Sequence, residues 1–308
     1  MTGFENHAGF TISSSKLQVV EIVHKDNQFV LENVDEAFLN ESINLEQDKE
    51  TKISALLQGA FDEILVRNTL KSITASFSLS PDVFKIVQLP YDNTLLHQDL
   101  IEEFRWELSI MFPDINPADQ VIQYIEIEKN RLIDKNTSIV ISLSRKYIQI
   151  IKDFCDKNKL KLKFIDNIHL ASERALSAMN PLSEKGLVLS VYLSGKHLSI
   201  LFSFQGKPAS MKVYYLQNAG DIIKFISAEL DSNQYLNINR RMLESAFISG
   251  EELSVSMINT LREKLDIPFI HFNPFVKIKP NPKLFENRYY SEKFNAFSPS
   301  VGVALRLA

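Results

Sequence analysis

The chain has 308 residues, 45% of them apolar, and 34 Lys and Arg against 38 Asp and Glu for a formal net charge of −4. That apolar share supplies a sizeable core and excludes disorder as the main state, and the length suggests two domains. A mildly acidic chain without a basic block has little with which to neutralise phosphates, so nucleic acid is not an expected partner. A single cysteine, Cys155, excludes internal disulfides and most cysteine-based metal sites, and is expected to be a packed thiol. No stretch approaches the roughly 20 apolar residues of a membrane span, and Met1–Gly9 holds no signal-peptide core. Any membrane role is therefore expected to come through a partner. Nine glycines in 308 residues is less than half the usual share of about 7%, which is poor stock for loops that bring backbone close to phosphate.

Phe10–Ile12 and Leu17–Val23 read as strands joined by the polar triplet Ser13-Ser14-Ser15, and a third strand, Phe29–Val34, follows the turn Lys25-Asp26-Asn27. Ile53, Leu56, Leu57, Ala60 and Ile64 recur at helical spacing over about 50–66, and Ile73–Leu79 returns as a strand. Val83–Leu89, closed by Pro90, opens a second unit. Asp92-Asn93-Thr94 is the expected start of a helix striped by Leu100, Phe104, Leu108 and Met111, and Pro113 and Pro117 stop it. Strands at Val121–Ile127 and Ser138–Leu143, a helix over about 145–157, a strand at Leu160–Ile165 and a helix at Ile168–Met179, ended by Asn180-Pro181, come next. Gly186–Leu193, His197–Phe204 and Ala209–Tyr215 form another strand triplet, then a helix over about 219–230, a short strand at Ala246–Ser249 and a helix at Leu253–Leu265. Pro268–Phe272 is expected to be extended, Asn273–Phe294 an irregular surface loop, and Ser298–Leu307 a short terminal helix. Strand triplets followed by helices, occurring twice, imply two similar α/β halves.

Little in the chain announces catalysis. The six histidines (His7, His24, His97, His169, His197 and His271) are scattered without metal-ligand spacing. No phosphate-binding loop, nucleophile elbow or zinc-protease helix is present. Asp166, ahead of the Ile168–Met179 helix, reads as a helix cap rather than a base. Lys157, Lys159, Lys161 and Lys163 alternate with other residues, which puts them on one face of a strand. A solvated edge guarded by charge is the plain reading; a docking face for an acidic peptide or lipid surface is the functional one.

Several segments, in order, resemble one family. Gly9-Phe10-Thr11-Ile12-Ser13-Ser14-Ser15 and the strand to Ile22 are similar to the opening phosphate hairpin of actin-like ATPases of the PilM type, the cytoplasmic type IV pilus assembly proteins. Val87-Gln88-Leu89-Pro90, Glu102–Pro113 and Gln120–Ile127 resemble that family's strand-Leu-Pro, its helix ending in an acidic-aromatic-Pro run, and the strand after it. Gly250 with the helix after it and Phe272-Asn273-Pro274-Phe275 resemble the segment closing its nucleotide pocket, and Phe297–Arg306 its C-terminal helix. The resemblance implies a two-lobed, actin-like (ribonuclease H-like) α/β fold. Its first lobe would span 1–180 with a subdomain inserted at about 81–151. Its second would span 181–308 with a shortened subdomain, and the helix at about 297–307 would return to the first.

The departures fall on the nucleotide pocket. Where the family has an Asp that holds the metal through water and then a Gly, this chain has Thr11 and Ser13. The matching pair of the second hairpin is Tyr192 and Ser194, and a register slip restores no acid because Leu187–Ser203 contains none. The family's Gly pair is Gly250-Glu251, and the acid that positions water matches Ile168. Losing the Asp removes charge that Mg²⁺ needs, Glu251 adds bulk and charge of the wrong sign for phosphate, and a short lid leaves a nucleotide open to water.

The expectation is a vestigial pocket (Thr11, Ser13, Ser14, Ser15, Tyr192, Ser194, Gly195, Gly250 and Glu251) with no catalytic residue, no metal and no required cofactor. The alternative is an active ATP-binding protein, in which the Ser13–Ser15 hairpin, Gly195 and Gly250 still hold phosphates through hydroxyls and backbone N–H groups. The resemblance implies a non-catalytic cytoplasmic scaffold, peripheral to the inner membrane, in a type IV pilus or type II secretion-like platform. Its partner would be a short N-terminal cytoplasmic peptide of an inner-membrane protein, held in a groove near 81–151.

Overall fold

A computed structural model describes residues 6–25, 28–180, 186–251 and 253–307; Asp26, Asn27 and Pro181, expected in turns, lie outside them. The first unit runs β1 (His7–Ile12), β2 (Lys16–Lys25), β3 (Gln28–Phe38), α1 (Glu50–Arg67) and β4 (Thr74–Leu79). A second unit has β5 (Phe84–Pro90), α2 (His97–Met111), β6 (Gln120–Ile127) and β7 (Thr137–Ser144). Then α3 (Arg145–Lys157), β8 (Lys161–Asn167) and α4 (Ile168–Met179) lead to a repeat of the opening. The repeat is β9 (Leu187–Ser194), β10 (His197–Phe204), β11 (Lys207–Tyr215), α5 (Gly220–Asp231), β12 (Leu243–Gly250) and α6 (Val255–Leu265). The chain closes with β13 (Ile270–His271), β14 (Lys279–Pro280), α7 (Arg288–Ser291) and α8 (Ser298–Ala304). Three sheets result, in strand orders β14-β3-β2-β1-β4-β8, β11-β10-β9-β12-β13 and β5-β7-β6.

The central strands explain how the first two sheets are joined. Along β1 and β4, Ala8, Phe10, Ile12, Ala75, Phe77 and Leu79 point to one face and share a core with α1 and α3. The alternate residues His7, Gly9, Thr11, Thr74, Ser76 and Ser78 are small or polar, a pattern that usually marks a face in water. Here that face is buried, because α8 lies across it. A Cβ on Gly9 would sit 2.0 Å from the Ser300 carbonyl, and one on Gly302 only 1.7 Å from the Ala171 carbonyl of α4. Glycine is required at both positions for this approach. The buried hydroxyls pair with each other: Thr11 Oγ1 lies 2.8 Å from Ser78 Oγ and 2.6 Å from Ser300 Oγ. Ser172 of α4 joins Ser249 of β12 (3.0 Å) and Ser298 of α8 (2.8 Å). A hydroxyl seam thus runs between the two sheets.

Four expectations need correction. Helix α2 begins at His97, not at Asp92-Asn93-Thr94: Asp92 Oδ1 instead accepts from the Thr94 N–H and hydroxyl in a tight turn. Asn273–Phe294 is not a surface loop. Phe272, Phe275, Ile278 and Leu284 are buried in the core under α8, β14 pairs with β3, and Asn287 Nδ2 donates to the Val34 carbonyl at 2.9 Å. The anchors lie among turns and a short 3-10 segment instead of one regular element, so no period is visible in sequence. The lysine alternation is only half a strand, since Lys157 ends α3 and Lys159 is a left-handed turn residue (φ 57°). Lys161 and Lys163 are exposed on β8, an edge strand. The extended Pro268–Phe272 is reduced to two paired residues, Ile270 and His271.

Glycine-to-alanine changes should therefore have opposite signs at two sites. Gly302→Ala drives a methyl into α4 backbone and is expected to cost about 3 kcal/mol. Gly59→Ala, in α1 with open space around the added carbon, is expected to stabilise by about 0.5–1 kcal/mol. Urea unfolding of the two variants checks both.

Candidate functional site

Three loops that sequence reading assigns to a nucleotide pocket converge. The β1–β2 hairpin closes with the Ser13 N–H donating to the Lys16 carbonyl (3.1 Å), and its tip is held by the Ser14 and Ser15 carbonyls, which accept from Ile43 and Leu39 N–H. Gly250, at φ 132°, lets β12 end against β9, where any Cβ would meet the Leu193 carbonyl at 2.1 Å. The next residue, Glu251, donates its N–H to that same carbonyl at 3.0 Å and is buried. Tyr192 and Ser194 are buried beside it on β9, while Ser14 and Gly195 are exposed at their hairpin tips.

The residue that organises the site is one the sequence reading passed over. Lys16 reaches into the space between the loops, with Nζ 3.2 Å from Glu36 Oε2 and 3.4 Å from Glu251 Oε2. Gln18 Nε2 donates to Glu36 Oε2 at 3.0 Å, and Lys293 Nζ stands 3.7 Å from Glu36 Oε1. The two lysines balance the two carboxylates. Burial works against the Lys16 ammonium, but Glu251 and Glu36 outweigh it and hold its pKa above the ordinary lysine value. Burial likewise pushes the Glu251 carboxyl up, and Lys16 pulls it part of the way back. The Tyr192 phenol is pushed well above its usual range by burial, with Glu251 adding to it.

Behind this cluster, α4 carries two further buried groups. His169 Nδ1 lies 2.6 Å from Ser199 Oγ and Nε2 2.7 Å from Ser190 Oγ, and complete burial pushes its pKa down to about 3. Glu173 accepts from Ser203 Oγ at 2.7 Å, and burial holds its carboxyl above the usual range. Asp166 does not cap α4, a further correction. Asn167 does so, accepting from the His169 and Leu170 N–H groups, because the residue adjoining the first helical turn reaches its free donors better. Asp166 pairs instead with Arg174 (2.9 Å) and Arg306 (3.1 Å).

Those three charges lie along a groove. One part, about 240 Å³, runs between β8 (Leu162, Phe164) and the three-stranded sheet (Phe84, Val121, Ile141), with Arg306 stacked 4.0 Å over Phe164. It adjoins a second hollow of about 450 Å³ that shares Gln123, Ile141, Asp166 and Arg306.

No protein-family model matches the chain, and no curated protein matches it. Solved structures do. A chain described as the PilM-PilN type IV pilus biogenesis complex is 16% identical, with a TM-score of 0.75 over 99% of each chain. A Bacteroides thetaiotaomicron protein described as having an actin-like ATPase fold and unknown function is 12% identical, with a TM-score of 0.52 over 88% of this chain and 94% of its own. The chain has the actin-like ATPase fold.

In this actin-like frame the residues present do not fit Mg-ATP. Thr11, which the sequence reading matched to a metal-holding Asp, is fully buried and bonded to Ser78 and Ser300. Glu251 puts a buried carboxylate, of the wrong sign for phosphate, where the three loops meet, and the cation beside it is committed to two carboxylates. Among the described residues, no group of three or more His, Cys, Asp or Glu is arranged for a metal. Lys16 carried no signal in the sequence: it follows the serine triplet at the mouth of a strand, and only the structure shows it buried there with the seven residues after it.

Removing one partner of a buried ion pair strands the others. Lys16→Met is expected to cost about 3–5 kcal/mol, with much of that loss recovered in the Lys16→Met, Glu251→Leu double variant, as read by urea unfolding. For His169 the folded pKa lies below the unfolded value, so its contribution is complete above pH 6.5 and is lost as pH falls from there toward 3. The expected loss is about 2 kcal/mol by pH 5, and His169→Gln should flatten that part of the stability–pH curve.

Proposed function

We propose that this chain is a non-catalytic scaffold of an inner-membrane assembly platform of the type IV pilus or type II secretion kind, working on the cytoplasmic side. Supporting the family reading are the ordered motif resemblance to PilM-type proteins and the likeness in fold to a chain of the PilM–PilN complex. The observation that carries the non-catalytic half is the Lys16 ammonium between Glu36 and Glu251, where the three loops that the sequence reading assigned to a nucleotide pocket meet. An internal cation fills the role and the space that a metal–phosphate pair would need. Among the described residues no helix is long and apolar enough to cross a membrane, and the proposed link to the membrane is a partner.

The groove beside β8 is the place for that partner. Edge strand β8 pairs with β4 on one side only, and its other side borders the apolar wall formed by Phe84, Val121, Ile141 and Leu143. A short extended peptide can add to the free edge through main-chain hydrogen bonds while its alternate side chains fill the cleft. Asp166 between Arg174 and Arg306 gives the groove floor fixed charges that set direction and register.

Titration of the full chain with the N-terminal cytoplasmic peptide of the neighbouring inner-membrane protein tests this. Saturable binding is expected, lost in Val121→Arg, which places a long charged side chain in the cleft. No binding up to high micromolar peptide would overturn the reading.

A further inference from the structure

Helix α2 has two faces of different use. Leu100, Phe104 and Leu108 are buried against Val87, Ile122 and Val140 of the three-stranded sheet. On the outward face Trp106 is 61% exposed, with Ile110 also exposed. Trp106 is the only tryptophan of the chain. Large aromatic residues in water are rare on monomers and common at interfaces. Around it stand Asp99, Glu102, Glu103 and Glu107 against one cation, Arg105, which pairs with Glu102. The face thus combines exposed apolar side chains with an excess of carboxylates.

The complementary surface is on the same molecule. The strap from Val276 to Arg288 exposes Val276 (65%) and Phe285 (64%). Beside them it exposes Lys277, Lys279, Lys283 and Arg288 against one carboxylate, Glu286. The strap thus carries two exposed apolar side chains and an excess of cations, with Glu32 near Lys283 and Glu292 near Arg288. The two surfaces cannot meet within one chain. The strap's β14 forms one edge of the six-stranded sheet and β8 the other, a separation of about 24 Å at ordinary strand spacing. The three-stranded sheet lies beyond β8, across the groove, with α2 on its far face.

We infer that the occupant of the α2 face is the basic strap of a second copy of this chain, in a head-to-tail contact. Such a contact uses different surfaces on the two partners, so each copy keeps a free α2 face and a free strap, and association continues into an open row unless the rotation closes a ring. A membrane surface is a poor occupant for α2, because its carboxylates repel anionic lipid. The contact leaves the β8 groove uncovered, so it stands apart from peptide binding.

Sedimentation velocity of the full chain from low-micromolar to near-millimolar concentration, at low salt, tests the inference, with Trp106 fluorescence as a local reporter. Mass growing with concentration and a blue shift of Trp106 emission are expected, both reversed at about 1 M salt, where charges are screened within ~3 Å. Two variants, Glu102→Lys with Glu107→Lys and Lys277→Glu with Lys283→Glu, should each stay monomeric with unchanged thermal unfolding. Mixed together they should associate again, since the reversed helix of one meets the reversed strap of the other. A wild-type chain that stays monomeric throughout overturns the inference. Association that persists in both variants overturns it too, as does a monomer whose strap instead binds phosphatidylglycerol vesicles.

Discussion

One lysine ammonium, taken out of water and held between two carboxylates, sets the character of the centre of this molecule. Buried ions are costly unless they are closely paired, and Lys16 is paired twice. The arrangement joins the start of β2, the strand β3 and the loop after β12, so it links the six-stranded sheet to the five-stranded one. It also fits the residues that the sequence reading set apart around it. With a fixed cation in place, an Asp at Thr11 has no metal to hold, and a carboxylate at Glu251 becomes an asset instead of a clash.

The same joint is reinforced by geometry of a different kind. Helix α8 lies against α4 and β1 with almost no side chain between them, since Gly302 meets Ala171 of α4 and Gly9 of β1 meets Ser300. Hydroxyls of Thr11, Ser78, Ser300, Ser172, Ser249 and Ser298 satisfy one another in that seam. Short polar groups fit where helix and sheet approach too closely for leucine or valine, and each bond made there avoids the penalty of an unpaired buried group. Such a joint is set for holding the two sheets in one relation.

Much of this was legible in the residues, and the failures have physical causes. The two strand triplets with their helices follow from period-two and helical spacing, which local residues decide. The burial of both faces of β1 and β4 was not legible: Thr11, Ser76 and Ser78 look like a solvated face until α8, more than two hundred residues away, covers it. Lys16 escaped because a lysine at a strand mouth is ordinarily in water, and only the distant Glu36 and Glu251 show otherwise. Asp166 and Asn167 compete for one cap, and position by a single residue decides between them. The strap at Asn273–Phe294 hid its anchors, Phe275, Ile278 and Leu284, behind prolines and lysines that suggest a loop. In each case a contact distant in sequence overrode a sound local reading.

The central claim, an internal cation in place of a nucleotide and its metal, is tested most directly by the melting temperature with and without millimolar Mg-ATP. A ligand that binds only the folded chain at 100 times its dissociation constant adds about 2.7 kcal/mol, which for a chain of this size is a rise of several degrees. The account predicts no shift. A reproducible, Mg²⁺-dependent rise would contradict it, because nucleotide and metal would then have displaced Lys16 from its two carboxylates.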